Sequence, residues 1–207
     1  MKALHAVAAG LLPALCAACG RSCRPGGLLC SRCSRRLAEA EPLAGSGPPG
    51  LDRVWSSAAH EGVARDLVTS LKFRRLLPVA ELIAERIEWL APASLLSGAI
   101  VPVPTARLRT LTRGFDPASE IAAALAQRLD MPLQPCLVRS GGGRQVGKRR
   151  AQRIGHPPRV RARGEVPRSV LLLDDVLTTG ATLSASARAL RSAGAIRVAA
   201  ITFTRRL

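Results

Sequence analysis

The stretch VLLLDDVLTTGATL, Val170 to Leu183, constrains the fold of this chain more than any other segment. Four consecutive aliphatic residues, Val170 to Leu173, read as a strand buried on both faces, the pattern of a parallel sheet covered by helices. Thr182 to Ala193 has helical spacing and ends at Gly194, and Ile196 to Phe203 is the next apolar run. Together they make a strand–helix–strand unit, which predicts an open, mostly parallel α/β sheet. Ligands of such sheets bind at the carboxyl ends of the strands, where this sequence carries Asp174 and Asp175.

The loop after the two carboxylates, Val176 to Thr182, enters the helix N-terminus. Consecutive backbone N–H groups there, with the hydroxyls of Thr178, Thr179 and Thr182, make a nest for an anion at the positive end of a helix dipole. Gly180 allows close backbone approach, with Val176, Leu177 and Ala181 completing the loop. A phosphate beside two carboxylates would be repelled, so the carboxylates must face something neutral such as vicinal hydroxyls. A phosphorylated ribose meets both demands. An ATPase reading competes, because Gly142 to Lys148 (GGRQVGK) fits G-x-x-x-x-G-K. Arg149 stands where Ser or Thr would be required, and no apolar helical face follows. In the plainest alternative the Asp pair only caps a strand, which leaves the TTGAT loop unexplained.

Elsewhere the pattern supports the same class. Helical spacing runs from Gly62 to Phe73, from Pro78 to Leu90 and from Phe115 to Leu129. Ala99 to Val103 and Leu133 to Val138 read as short strands, and PTARLRTLTRG between them reads as a loop bearing Arg107, Arg109 and Arg113. Ala38 to Asp52, rich in Ala, Gly and Pro, reads as a linker. Arg139 to Arg168 holds ten Lys and Arg against one acidic residue, +9 of a net +17, and reads as a mobile basic loop. That charge attracts polyanions, while aromatics at 2% leave few rings on which the bases of a single strand could stack.

Five of six cysteines lie between Cys16 and Cys33. Cys16 and Cys19 form one C-x-x-C, Cys30 and Cys33 a second, and two such turns supply four thiolates for a structural zinc ion. Cys23 is a spare that would compete as a ligand, and Cys136 in QPCLV reads as a core residue. The N-terminal apolar run is interrupted by Pro13 and reads as a short helix over Ala3 to Leu12, not a secretory signal. No segment reaches the length of a membrane span. The expected location is the cytoplasm, with the inner face of the membrane as a peripheral alternative. The expected organisation is an N-terminal helix and zinc module over 1–37, the linker over 38–52 and the main domain over 53–207.

VLLLDDVLTTGAT resembles the signature of type I phosphoribosyltransferases, which bind phosphoribosyl pyrophosphate (PRPP). The paired C-x-x-C, SLKF around Lys72, VPVP at Val101 to Pro104, RGFD at Arg113 to Asp116, Arg139 and Gln145 resemble the ComF/GntX branch. The branch pattern is RGFNQ, where this chain has Asp116 and Pro117; His156 stands near an expected Asn, and PPRV follows it. The resemblance implies a type I phosphoribosyltransferase fold with a small zinc module of four cysteine ligands. It implies that Asp174 and Asp175 hold the ribose hydroxyls and that Thr178 to Thr182 cradle the 5-phosphate. Arg107, Arg113 and Lys72 would serve the pyrophosphate, with Mg²⁺ accompanying PRPP. Pentosyl transfer (a glycosyltransferase activity) is the implied chemistry. The branch's association with DNA uptake in natural competence implies single-stranded DNA and uptake proteins such as a helicase as partners. A non-catalytic nucleic-acid adaptor and a PRPP-sensing regulator stand as alternatives.

Overall fold

A computed structural model of the chain describes residues 14–45, 47–140 and 158–207, without the side chains of 107–109 and 140. The helix expected over Ala3 to Leu12, the GGRQVGK stretch and most of the basic loop lie outside the described residues.

Five strands form the central sheet: β3 (Leu43–Gly45), β4 (Arg53–Ala59), β5 (Ala99–Pro102), β8 (Ser169–Leu177) and β9 (Arg197–Arg205). Their order across it is β3–β4–β9–β8–β5. All pairings are parallel except that of edge strand β3 with β4. The aliphatic run behaves as its composition requires, since Val170 to Leu173 are all essentially inaccessible. Alternation divides them between two cores. Leu171 and Leu173, with Ile201 and Phe203 of β9, pack under α1 (Ser31–Ala38), α2 (Gly62–Arg74), α3 (Pro78–Leu90) and α5 (Pro117–Leu129). Val170 and Leu172, with Val198 and Ala200, pack against α6 (Ala181–Ser192). The α/β architecture with a mostly parallel sheet is as expected.

Four local expectations need correction. The stretch from Ala38 to Asp52 is not a plain linker: it contains β3 and then lies along α6. Arg191 of α6 donates to the Gly50 carbonyl at 2.9 Å and to Asp52 Oδ1 at 2.5 Å, and the Val198 N–H donates to Asp52 Oδ2 at 2.7 Å. The PTARLRTLTRG segment is not all loop, because Arg107–Arg113 forms a short helix, α4, ended by Gly114 at φ 81°. The basic segment is not all loop either. β6 (Leu137–Ser140) and β7 (Arg159–Ala162) pair antiparallel as a ribbon. In β7, exposed Arg159 and Arg161 alternate with half-buried Val160 and Ala162, which pack on the α6 core. The signal is a period of two inside a charged run. Of the strand expected over Leu133 to Val138, Leu133 makes an isolated bridge to Ile100 and the ribbon begins at Leu137.

Strand β4 has no counterpart among the sequence expectations although it is central. Its sequence RVWSSAA carries two serines at fully buried positions. Ser56 Oγ lies 2.7 Å from Thr202 Oγ1, and Ser57 Oγ donates to the Phe203 carbonyl at 2.9 Å. The hydroxyls are satisfied across the β4–β9 pair, so burial carries little penalty.

The paired Cys turns are continuous with the main core. β1 (Ala14–Leu15) pairs with β2 (Ser22–Cys23), and Cys16, Ala17, Ala18, Cys33 and Leu37 belong to the same buried cluster as α2 and α3.

Leu171→Ala, at a residue fully buried in β8, is expected to cost about 3 kcal/mol in urea unfolding. Ile196→Ala, at a residue 60% exposed, should stay within about 0.5 kcal/mol.

Candidate functional site

Strand β8 continues past the point where β5 stops. β5 pairs with β8 only as far as Leu173, whereas β9 accompanies it to Leu177. Asp174 and Asp175 therefore sit inside the strand, at the carboxyl edge of the sheet, with no β5 neighbour. Asp174 is half-buried and lines a small depression with residues 176–183. Its Oδ1 accepts the Asp175 N–H at 2.8 Å. Burial, followed by the adjacent Asp175 charge, pushes the Asp174 carboxyl well above the usual carboxylate range. Asp175 is 7% exposed and forms an ion pair with Lys72 of α2. The two carboxylates thus have different surroundings, one open to the depression and one held by a cation.

The rest of the depression is the loop into α6. Gly180 adopts φ 71° as the residue preceding the helix, with no side-chain cap. A Cβ at Gly180 would stand 2.1 Å from Pro48 Cγ, so the close approach of the segment lying along α6 requires glycine as much as the left-handed backbone does. The Ala181 N–H makes only a 3.4 Å contact with Thr179 Oγ1. The N–H groups of this first turn have no intrahelical acceptors, so the loop can receive an anion.

Around this edge the sheet becomes polar. Thr204, fully buried, lies 2.8 Å from His60 Nδ1 and donates to the Asp175 carbonyl at 3.4 Å. His60 follows β4, and burial, then the charges of Arg206 and Lys72, hold its pKa below the ordinary imidazole value. It stands at the site edge and is absent from the sequence candidates, as is the strand it follows. Asp116 has a local purpose in the structure. It caps α5 through the Ala118 N–H at 3.1 Å. It also accepts from the Thr105 N–H at 3.2 Å and from Thr105 Oγ1 at 3.0 Å, fixing the loop after VPVP.

The basic candidates are placed unevenly. Lys72 is in the site, paired with Asp175. Arg107 is the first residue of α4. Arg113 ends α4 with its guanidinium 5.2 Å from the centre of the Phe73 ring, a cation–π contact next to Lys72 along the chain.

The second cluster is sulfur. The Sγ atoms of Cys16, Cys19, Cys30 and Cys33 all lie within 4.8 Å of one another, with Cys19 and Cys30 3.8 Å apart. Tetrahedral zinc, with Zn–S bonds of about 2.3 Å, needs sulfurs roughly this far apart. Backbone N–H groups favour the thiolate at Cys16, whereas burial and the neighbouring sulfurs raise the Cys33 thiol. Burial raises the Cys16 thiol, but N–H groups of Cys19, Cys30 and Ala18 more than offset it and bring the pKa to about 6. Cys23 is not among the four: its Sγ donates to the carbonyls of Ala14 at 3.2 Å and Gly27 at 3.1 Å. Cys136 is buried, as expected of a core residue. Among the described residues, no helix is long and apolar enough to cross a membrane.

Residues 111–207, just under half of the chain, match the family described as phosphoribosyl transferase domain. That span includes Asp174, Asp175 and the loop into α6, while Lys72 and the four cysteines lie before it. No curated protein matches the chain. Among solved structures the chain is similar to the Bacillus subtilis glutamine PRPP amidotransferase complexed with ADP and GMP, at 21% identity and TM-score 0.38. The likeness covers 59% of this chain and 24% of that one, so the chain spans about a quarter of that protein's length. It is also similar to the orotate phosphoribosyltransferase of Aeropyrum pernix (22% identity, TM-score 0.39, 83% and 78% of the two chains). A third likeness is to the adenine phosphoribosyltransferase of Leishmania tarentolae (17% identity, TM-score 0.38, 67% and 74%).

Metal analysis of purified protein is expected to give about one zinc per chain, from the four-ligand geometry of structural sites. Cys33→Ala should lose the metal and Cys23→Ala should keep it. Retention of zinc by Cys33→Ala would reject the ligand set.

Proposed function

We propose that the chain binds PRPP together with Mg²⁺, as a phosphoribosyltransferase-type protein, and that its paired Cys turns hold Zn²⁺. The observation that carries this is the pairing, in one small depression, of Asp174 with an uncapped helix start. The carboxylate is destabilised by burial and by its neighbour, so ribose hydroxyl donors or a cation would relieve it. The helix start beside it takes the 5-phosphate on the Thr178–Thr182 backbone and hydroxyls. Asp175 acts through Lys72, holding the ammonium at the edge of the site. Arg107 and Arg113 on α4 are assigned to the pyrophosphate side, where Arg113 would leave the Phe73 ring to do so. Asp174 would help hold Mg²⁺ brought with PRPP, and the ion would supply positive charge to the pyrophosphate as a leaving group. Four thiolates without an open position make the zinc structural, and soft thiolate ligands select it over Mg²⁺ or Ca²⁺.

Titration calorimetry with PRPP–Mg²⁺ tests the assignment. Binding by the wild type and its loss in Asp174→Ala plus Asp175→Ala is expected; unchanged affinity contradicts it. Pentosyl transfer is read separately, as pyrophosphate release when nucleobases are supplied.

Asp174 also sets a pH dependence. A carboxyl raised in the folded state binds its proton more readily there than in the unfolded chain. It therefore favours folding below the unfolded carboxylate pKa, and that advantage is lost as pH rises through the folded value. Asp174→Asn is accordingly expected to raise Tm at pH 7 while weakening PRPP binding, with the gain in Tm vanishing in acid. A lower Tm at pH 7 would show that the charge is not disfavoured.

A second reading, as a nucleic-acid-binding adaptor of DNA uptake with a helicase among its partners, has one structural support. An open groove between β7 and α6 is lined by Arg159, Arg161 and Arg188. Neutralising Arg161 and Arg188 should then weaken single-stranded DNA binding and lower the slope of log K against log salt by about 0.7 per lost phosphate contact. An unchanged slope removes the groove from the reading.

A further inference from the structure

The paired Cys turns and the proposed PRPP site share one helix. Ser70 of α2 is 1% exposed, and its Oγ donates to the carbonyl of Ala17, a residue between ligands Cys16 and Cys19. Two residues further along, Lys72 forms its ion pair with Asp175. At about 100° per residue, Ser70 and Lys72 leave α2 on different sides, so the helix is attached to the Cys turns by one and to the sheet edge by the other. The attachment to the Cys turns is well supported. Cys16, Ala17, Ala18, Cys33 and Leu37 share a buried cluster with Leu67, Val68 and Leu71. The turn that carries Ala17 is itself set by hydrogen bonds from Cys16 N to Arg21 O, Ala17 N to Leu28 O and Gly20 N to Cys16 O, at 2.8 to 2.9 Å.

The helix ends just beyond. Arg75, a non-glycine residue at φ 54°, closes α2 with its N–H bonded to the Ser70 carbonyl. Ser70 thus holds the Cys turn with its side chain and the helix end with its main chain, while Lys72 lies between the two attachments. A lysine carries several rotatable bonds and pairs only weakly unless its backbone is fixed.

We infer that Ser70 is a positioning residue through which the metal-bound Cys turns fix Lys72 against Asp175, so that the metal state of the four cysteines sets affinity for PRPP. The inference rests on the PRPP reading above. It gives the Cys turns a role in the site without any contact between sulfur and substrate.

A double-mutant cycle on the zinc-loaded full-length protein tests it, with PRPP–Mg²⁺ affinity as the readout and zinc content and Tm recorded beside it. Ser70→Ala leaves a buried carbonyl without its donor and is expected to weaken PRPP binding by roughly tenfold. In the Lys72→Ala background the same substitution should cost little, because the side chain it positions is gone. Losses that multiply independently would overturn the inference and leave Ser70 a residue of general stability. So would wild-type affinity in Ser70→Ala. If Ser70→Ala fails to fold, Cys19→Ala, which removes an exposed ligand and with it the metal, replaces it in the cycle as the metal-free arm, compared with the zinc-loaded wild type and with the same expectation. Absence of PRPP binding in the wild type would instead reject the proposed function, an outcome distinct from additivity.

Discussion

The Lys72–Asp175 ion pair is the interaction on which the arrangement of this molecule turns. Both partners are largely removed from water, with side chains 20% and 10% exposed. Such a pair repays its desolvation only when both ends are held. Here both are. Asp175 is fixed by the parallel ladder between β8 and β9 and by the Thr204 contact to its carbonyl. Lys72 is fixed by a helix whose far side is buried. The position of that helix end then places Phe73 under Arg113 and lets Arg75 donate to the Thr112 carbonyl at 3.2 Å. The basic helix α4 is thereby tied to the end of α2 that carries the ion pair.

The sheet changes character along its length to accommodate this pair. Its middle is aliphatic on both faces, and its carboxyl edge is hydroxylic, with Ser56, Ser57, Thr202 and Thr204 all fully buried and bonded to one another or to backbone. Ser56, Ser57 and Thr202 satisfy one another or the backbone across the β4–β9 pair, while Thr204 meets the His60 imidazole and the Asp175 main-chain carbonyl. The cost falls on Asp174, whose charge is left disfavoured, and that is the group that faces the open depression. Unrelieved charge beside an anion-receptive helix start is what a ligand with hydroxyls on one side and phosphate on the other would complete.

Much of this is legible in the sequence because the signals are local. The aliphatic run, the glycine before the helix and the doubled C-x-x-C each state their own geometry, and α3 runs from Pro78 to Leu90 as its spacing and leading proline predict. What the sequence conceals depends on partners distant in the chain. β4 hides behind Ser56 and Ser57, whose partners are 146 residues away. The supposed linker owes its place to Arg191 and to the space over Gly180, neither visible from its own composition. The division of labour between adjacent Asp174 and Asp175 depends on Lys72, a contact that no local pattern announces. Charge count hides the alternation of β7 for the opposite reason: a strong compositional signal masks a weaker periodic one.

The depression formed by Asp174 and the start of α6 is the proposed seat of PRPP–Mg²⁺. Backbone amide mapping by NMR, titrating PRPP–Mg²⁺ into the zinc-loaded protein, addresses it most directly. The largest shifts are predicted to fall on residues 174–183, with Lys72 and its neighbours on α2 following. Shifts confined to the groove between β7 and α6, with residues 174–183 unmoved, would contradict it.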